Sequence, residues 1–74
     1  MARPFAKLRS LMVENDDTQD DLARLLLIDR SGISSRMNNR AEWKIGEMYA
    51  IMNRYHLPHD MLNQVFPMNG KRSD

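Results

Sequence analysis

The stretch from residue 18 to residue 39 reads TQDDLARLLLIDRSGISSRMNN, and it decides how the rest of the chain is understood. Leu22 and Leu26 lie four residues apart, which is the spacing of one face of a helix. A second apolar pair, Ile33 and Met37, repeats that spacing after a break. The pattern predicts two short helices joined by a tight turn, with small polar residues on the outward face of the second helix.

Capping residues mark the starts of both helices. Thr18 precedes the first helix, and Asp21 follows three residues later in a capping-box-like position. Asp29 precedes the second helix, and we expect its side-chain oxygen to accept a hydrogen bond from the backbone N–H of Ser31 or Gly32. The two helices are therefore predicted over about 19–26 and 30–38.

These residues resemble a known family. The runs TQDDLA and ISSRMNNR are similar to the helix-2 start and the recognition-helix end of the phage Cro and lambda-repressor-like helix-turn-helix family. The resemblance extends over about residues 5–66. It implies an all-α, five-helix DNA-binding domain with the helix-turn-helix at helices 2 and 3. Counted from Gln19, the small and apolar positions of the family motif fall on Leu22, Ala23, Leu26, Ile28 and Ile33.

Two positions depart from the family pattern. Leu27 stands at the turn, where the family usually has glycine, and a left-handed leucine costs about 1–2 kcal/mol. Arg36 stands where the family often has an aliphatic residue. We expect Met37 to supply the missing apolar contact one position later.

Three further helices complete the predicted domain, which spans residues 1–66. Pro4 suits the first position of helix 1, and Ile45 and Tyr55 bound the apolar stripe of helix 4. The segment 67–74 has the composition of a tail without regular structure. The three helices are predicted over about 4–14, 45–55 and 59–65.

Composition limits the class of protein. A chain of 74 residues without cysteine is expected to form one domain with neither disulfides nor thiolate metal sites. No apolar run approaches the roughly 18 residues of a membrane span, and no secretory segment is evident, so a cytoplasmic protein is expected.

The net charge of +1 is weak support for nucleic-acid binding. The charges are unevenly distributed, however, because residues 14–21 hold five acids and no bases, whereas residues 30–44 hold four bases and one acid.

The outward face of the second motif helix carries side chains suited to a major groove. Arg30 can donate two hydrogen bonds to guanine, serine hydroxyls can donate or accept, and an asparagine such as Asn38 can pair with adenine. Gly32 would allow a close approach of the backbone to DNA, although glycine costs about 1 kcal/mol inside a helix. The ordinary alternative is a solvated polar face. The whole pattern favours DNA contact over that alternative.

Contacts to phosphate are implied by the resemblance. It places Thr18 and Gln19 at a helix start that lies against a phosphate, and it places Arg40 and Lys44 where the loop after the recognition helix meets the DNA backbone. For each base the alternative is an ordinary solvated charge. The predicted DNA-binding set is Thr18, Gln19, Arg30, Ser31, Gly32, Ser34, Ser35, Arg36, Asn38, Asn39, Arg40 and Lys44.

Other chemistry finds little support in the sequence. Trp43 is expected to be a core residue rather than a platform for base stacking, because it has no aromatic neighbours in sequence. His56 and His59 flank Pro58 and have no third ligand nearby, so no metal site is predicted. No nucleophile lies near a base and an orienting partner. We therefore expect no enzymatic activity, no cofactor and no small-molecule ligand.

The sequence is thus predicted to encode a sequence-specific transcriptional regulator, similar to small Cro-type repressors of phages and mobile elements. The alternative is a helical protein-interaction module with the same fold, such as an antitoxin or antirepressor, which the low net charge and the acidic helix 2 favour. A single recognition helix reads few base pairs, so a homodimer on double-stranded operator DNA is expected. Its interface is predicted on the last helix, at Met61, Leu62, Val65 and Phe66.

Overall fold

The computed structural model describes residues 4–67, and all regular structure among them is helical. The predicted all-α class is therefore confirmed. The predicted tail lies outside the described residues, apart from Pro67. The elements are α1 (Ala6–Glu14), α2 (Gln19–Leu26), α3 (Arg30–Met37), α4 (Ile45–Arg54), a short 3-10 helix (His59–Met61) and α5 (Leu62–Val65).

One apolar core joins these helices. Leu8 of α1, Leu22 of α2, Ile33 of α3 and Ile51 of α4 are completely buried within it. Each such side chain contributes about 1.5–3 kcal/mol by leaving water. The full cluster consists of Phe5, Leu8, Leu11, Met12, Leu22, Ala23, Ile33, Met37, Trp43, Ile51, Met52, Tyr55, Val65 and Phe66.

The first helix begins later than the sequence predicts. Pro4 lies in a turn, and Phe5 adopts a left-handed conformation (φ 57°) immediately before α1. The ring of Phe5 is buried, with its centroid 6.2 Å from that of Trp43 and 6.4 Å from that of Phe66. This packing offsets the cost of the left-handed backbone, and it explains why the helix does not extend back to the proline.

Left-handed residues precede or separate the helices, and none of them is a glycine. Leu27 has φ 59° at the turn between α2 and α3, as its place in the motif implied. Asn39 has φ 62° just after the end of α3, and asparagine tolerates this conformation. Gly32 and Gly46 lie inside helices instead. The non-glycine residues with positive φ in the described chain are Phe5, Asp16, Leu27, Asn39 and His56.

Capping at α2 follows the prediction, whereas capping at α3 does not. The Asp21 N–H donates to Thr18 Oγ1 over 3.3 Å, and the Thr18 N–H donates to Asp21 Oδ2 over 2.8 Å, which completes a capping box. Asp29 precedes α3 but makes no side-chain capping bond. Its backbone carbonyl accepts from the Gly32 N–H over 2.9 Å, so the expected side-chain bond is replaced by a backbone bond.

An ion pair fixes the end of α4 to the α1–α2 connection. Arg54 donates to both carboxylate oxygens of Asp17 over 2.9 and 2.6 Å, and the Tyr55 hydroxyl donates to Asp17 Oδ2 over 2.8 Å. The hydrogen bonds from Arg54 lower the pKa of the Asp17 carboxyl, and burial together with the Asp17 bond raises the pKa of Tyr55. α4 ends at Arg54, one residue earlier than predicted, with Tyr55 buried at its C-cap.

The predicted dimer interface on the last helix needs correction. Val65 is 0% exposed and Phe66 is 3% exposed, and the Phe66 ring packs 5.2 Å from Trp43. Met61 and Leu62 are half-buried and also pack against the core. Because Val65 and Phe66 are covered within the chain, they cannot form a surface for a second subunit.

Candidate nucleic-acid interface

The buried face of α3 fixes which of its residues point outward. Ile33 and Met37 are buried in the core, and Met37 thereby makes the apolar contact expected of it. Arg30 and Ser31 are exposed in the first turn, and the Arg30 side chain is 69% exposed. Asn38 is exposed where the helix ends. The predicted base-reading side chains Arg30, Ser31 and Asn38 therefore lie on the accessible side of α3.

The first turns of α2 and α3 lie next to each other. Arg30 Nε is 3.7 Å from Asp20 Oδ1, and both side chains are exposed. Thr18 is exposed and Gln19 is half-buried at the same start of α2. The structure thus brings Arg30 close to the first turn of α2, the helix that begins at Gln19. The Asp20 carboxylate lies in the same place and offers Arg30 a competing partner.

Arg36, a member of the predicted DNA-binding set, makes its hydrogen bonds within the chain instead of facing solvent. Its guanidinium donates to both oxygens of Glu47 over 2.9 and 3.2 Å, and to the Gly32 carbonyl over 3.0 Å. The side chains of Arg36 and Glu47 are each only 14% exposed. At a position where the resembled family often has an aliphatic residue, a paired arginine joins α3 to the first turn of α4.

Glu47 is an anchoring residue that the sequence reading missed. Besides Arg36, its carboxylate accepts a hydrogen bond from the Lys44 N–H over 3.0 Å at the start of α4. Burial raises the pKa of Glu47, but the hydrogen bonds from Lys44 and Arg36 outweigh burial and lower it. The capping position of Glu47, three residues after Lys44, was a signal available in the sequence.

Packing within the chain explains why residue 32 is a glycine. A Cβ at this position would lie 3.2 Å from Arg36 Nη1 and 3.5 Å from Ile28 Cδ1. The glycine therefore leaves room for the Arg36 side chain to fold back along the helix. Its predicted role, a close approach to DNA, stays a prediction beside this internal one.

The second half of α3 is tied to its own backbone and to α1. Asn38 Nδ2 donates to the Ser34 carbonyl over 2.9 Å, and the Ser35 carbonyl accepts from the Arg40 N–H over 2.8 Å. Arg9 of α1 donates to the Met37 carbonyl over 2.9 Å, which places a positive charge at the C-terminal end of α3. Because the Asn38 bond is exposed, the amide can exchange it for a base edge at little cost.

The loop after α3 places three more predicted residues in solvent. Asn39, Arg40 and Lys44 are all exposed, and Trp43 between them is buried against Phe66. The prediction that Trp43 is a core residue is confirmed. The buried Trp43 ring therefore fixes the loop to the core, while the polar residues of the loop face solvent.

The surface around α3 carries balanced charge. With Arg36 paired to Glu47, the bases that remain exposed face a similar number of acids, so attraction to phosphate is modest. The exposed bases are Arg30, Arg40 and Lys44, and the exposed acids are Asp20, Asp29 and Glu42.

The described residues contain neither a metal site nor a membrane-spanning helix. Within residues 4–67, no group of three or more histidine, aspartate or glutamate side chains is placed to hold a metal ion. None of the helices in that range is both long enough and apolar enough to cross a membrane.

Comparisons of the chain with protein-family models, with curated protein sequences and with solved structures gave no match.

Proposed function

We propose that this protein is a sequence-specific DNA-binding transcriptional regulator that inserts α3 into the major groove. The observation that carries the proposal is the exposed polar side of α3, which begins with Arg30 beside the first turn of α2. The resemblance to Cro-type repressors supports the same reading. In this proposal the protein represses transcription by occupying an operator that overlaps a promoter.

The chemistry of α3 suits base edges. A guanidinium such as that of Arg30 donates two hydrogen bonds to guanine O6 and N7, and each good bidentate contact discriminates against the wrong base by about 1–3 kcal/mol. Ser31 lies next to Arg30 on the exposed side and can donate or accept. Asn38 can pair with adenine once its amide leaves the Ser34 carbonyl. These three residues are the proposed readers of sequence.

Residues on both sides of α3 would set its position on the duplex. Thr18 and Gln19 lie at the start of α2, and Arg40 and Lys44 lie in the loop that follows α3. Contacts from such residues to phosphate fix register without reading sequence. Binding is therefore expected to weaken as salt concentration rises.

A second function is favoured by one observation. The exposed acids near α3, Asp20, Asp29 and Glu42, oppose a phosphate backbone and would suit a basic protein partner. In this alternative the chain is a helical protein-interaction module, such as an antitoxin or antirepressor. The two functions use the same surface, so DNA binding must be measured directly.

Selection of duplexes from a random DNA pool tests the proposal. We expect enrichment of a defined motif by the native chain, and loss of that motif with Arg30→Ala. Arg24→Ala is the matched control, because Arg24 is an exposed arginine of α2 that pairs with Asp21 within its own helix. Failure of the native chain to enrich any motif at low salt would contradict DNA reading and favour the interaction module.

A further inference from the structure

Two consecutive aspartates at the start of α2 have different partners. Asp21 completes the capping box with Thr18 and also accepts a hydrogen bond from Arg24 Nη2 over 2.7 Å. Asp20 takes no part in the capping box, and its Oδ1 lies 3.7 Å from Nε of Arg30, in the first turn of α3. The Asp20 side chain therefore pairs with α3 rather than with its own helix.

Arg30 lies at an unfavourable place for a positive charge. It is the first residue of α3, and the N-terminus of a helix carries a partial positive charge that disfavours a cation. The Arg30 side chain is mostly exposed, so burial does not explain its presence there. The carboxylate of Asp20 offsets part of the repulsion. A contact with another molecule would give the arginine a use at this end of the helix.

The way in which Arg30 meets Asp20 leaves the outer edge of its guanidinium available. Arg36 and Arg54 each use Nε together with Nη2 to hold a carboxylate, and Arg24 uses Nη2. Arg30 approaches its carboxylate through Nε, and no hydrogen bond within residues 4–67 engages its Nη1 or Nη2. Because the guanidinium is a rigid fork of N–H donors, both terminal amino groups remain able to donate to a partner.

We infer that Asp20 is a positioning residue for Arg30, which it orients so that Nη1 and Nη2 meet a guanine end-on. The guanine acceptors in the major groove, O6 and N7, match such a pair of parallel donors. A carboxylate on the Nε side restricts the orientations of the guanidinium before binding, so less side-chain freedom is lost on contact. The inference rests on the proposed function, and it assigns recognition of one G·C pair to Arg30 and Asp20 together.

The same carboxylate acts against contacts that carry no sequence information. Nonspecific binding comes from attraction to phosphate, and Asp20 directly follows Thr18 and Gln19, at the helix start predicted to meet a phosphate. A phosphate would have to draw Arg30 away from Asp20, whereas an end-on guanine leaves that pair in place. Asp20 therefore weakens binding to other duplexes more than binding to the duplex that presents guanine to Arg30.

The expected effect is modest because the pair is exposed. The side chains of Arg30 and Asp20 are 69% and 56% exposed, and the energy of such an ion pair corresponds to a change of about two- to fivefold in an equilibrium constant. Asp20 thus adjusts the preference for G·C, and the guanine contact of Arg30 creates it. Replacement of Asp20 should reduce the preference without abolishing it.

Competition titrations with two duplexes test the inference. One is the duplex selected by the native chain, and in the other the G·C pair whose preference is lost with Arg30→Ala is changed to A·T. Asp20→Asn should bind the changed duplex more tightly than the native chain does, and its preference for G·C should be about two- to fivefold smaller. In an Arg30→Ala background, Asp20→Asn should leave the preference unchanged, because Asp20 acts through Arg30.

Asp29→Asn is the matched control. Asp29 is an exposed acid next to Arg30 in sequence, it makes no side-chain capping bond, and asparagine is equally suited to a helix start. Loss of its charge should strengthen binding to both duplexes equally and leave the preference for G·C as it is. If Asp20→Asn also strengthened binding to both duplexes equally, Asp20 would act only through its charge, and the inference would be wrong.

Heteronuclear NMR of the DNA-free protein tests the pair separately from DNA. The Nε–Hε signal of Arg30 should move much further with Asp20→Asn than with Asp29→Asn, while thermal unfolding shows that both variants keep the fold. An Nε–Hε signal that ignores Asp20→Asn, or an unchanged preference for G·C in that variant, would overturn the inference and leave DNA reading in place. A native chain that selects no motif would remove the proposed function and the inference together.

Discussion

The helices α3 and α4 present surfaces of opposite character, although one ion pair joins them. The exposed side of α3 carries Arg30 and hydroxyl and amide groups, whereas the exposed residues in the first half of α4 are Ile45, Gly46 and Tyr49, which carry no charge. Both helices bury an apolar side of the same kind, through Ile33 in one and Ile51 in the other. The difference therefore lies in the outward residues, which packing leaves free to serve contacts with other molecules. Arg36 and Glu47 hold the two surfaces in a fixed relation.

The largest expected effect comes from the isoleucines of these two helices. Ile33→Ala should destabilise the domain by about 2–5 kcal/mol, because Ile33 is completely buried in a small core. Ile45→Ala, at the exposed start of α4, should change the free energy of unfolding by no more than about 0.5 kcal/mol. Chemical denaturation of the two variants checks the contrast. Equal losses would mean that Ile45 is also a core residue.

Removing the carboxylate of Glu47 should lower the free energy of unfolding, because it breaks the ion pair between α3 and α4. Glu47→Ala leaves the guanidinium of Arg36 mostly buried without its partner, and the expected loss is about 3 kcal/mol. Glu14→Ala, an exposed acid of α1, is the control and should have little effect. In a double-mutant cycle, Arg36→Leu should recover much of the loss. Strict additivity of the two substitutions would show that the pair does not connect α3 to α4.

The stability contributed by the Asp17–Arg54 pair, at the C-terminal end of α4, should fall in acid. The folded pKa of Asp17 lies below its usual value of 3.8, mainly because Arg54 donates hydrogen bonds to the carboxylate. Its stabilising effect is therefore complete above about pH 4 and is lost as pH falls through the lower folded pKa. Asp17→Asn should make stability less dependent on pH in that range. Asp60→Asn, which changes an exposed carboxylate, should leave the acid profile of the native chain in place.

The turn before α3 offers a smaller, stabilising change. Leu27 is left-handed and 90% exposed, so glycine would relieve strain without a loss of packing. Leu27→Gly should raise the free energy of unfolding by about 0.5–1 kcal/mol, after the greater freedom of glycine in the unfolded chain is deducted. Asn39→Gly should gain less, because asparagine tolerates the left-handed region. Thermal unfolding of both variants measures the difference.

Local chemistry made much of the fold predictable. The bounds of α2 follow from the Thr18 capping box and from a left-handed residue at Leu27, and both signals lie within a few residues of the helix. The buried pair Ile33 and Met37 follows from helical spacing. In such cases the deciding interactions are close in sequence, so a sequence pattern is sufficient.

The errors arose where distant residues decide the structure. Phe5 turns left-handed because its ring packs with Trp43 and Phe66, residues that are remote in sequence. Arg36 was assigned to DNA because its helical position gave no hint of Glu47, eleven residues further on. The surface of α4 was likewise read from periodicity, which does not show where the core ends. The position of a residue on its helix does not show whether it belongs to the candidate site or only supports it. The partners that its side chain contacts across the fold do show this.

Binding of a selected duplex by three proteins tests the central claim most directly, namely that α3 reads DNA from its exposed side. Native chain, Arg30→Ala and Arg40→Ala would each be titrated against the selected duplex and a scrambled one at several salt concentrations. Arg30→Ala should lose about 1–3 kcal/mol on the selected duplex only, whereas Arg40→Ala should weaken binding to both and reduce the salt slope by about one. Unchanged affinity and unchanged base preference for Arg30→Ala would contradict the claim.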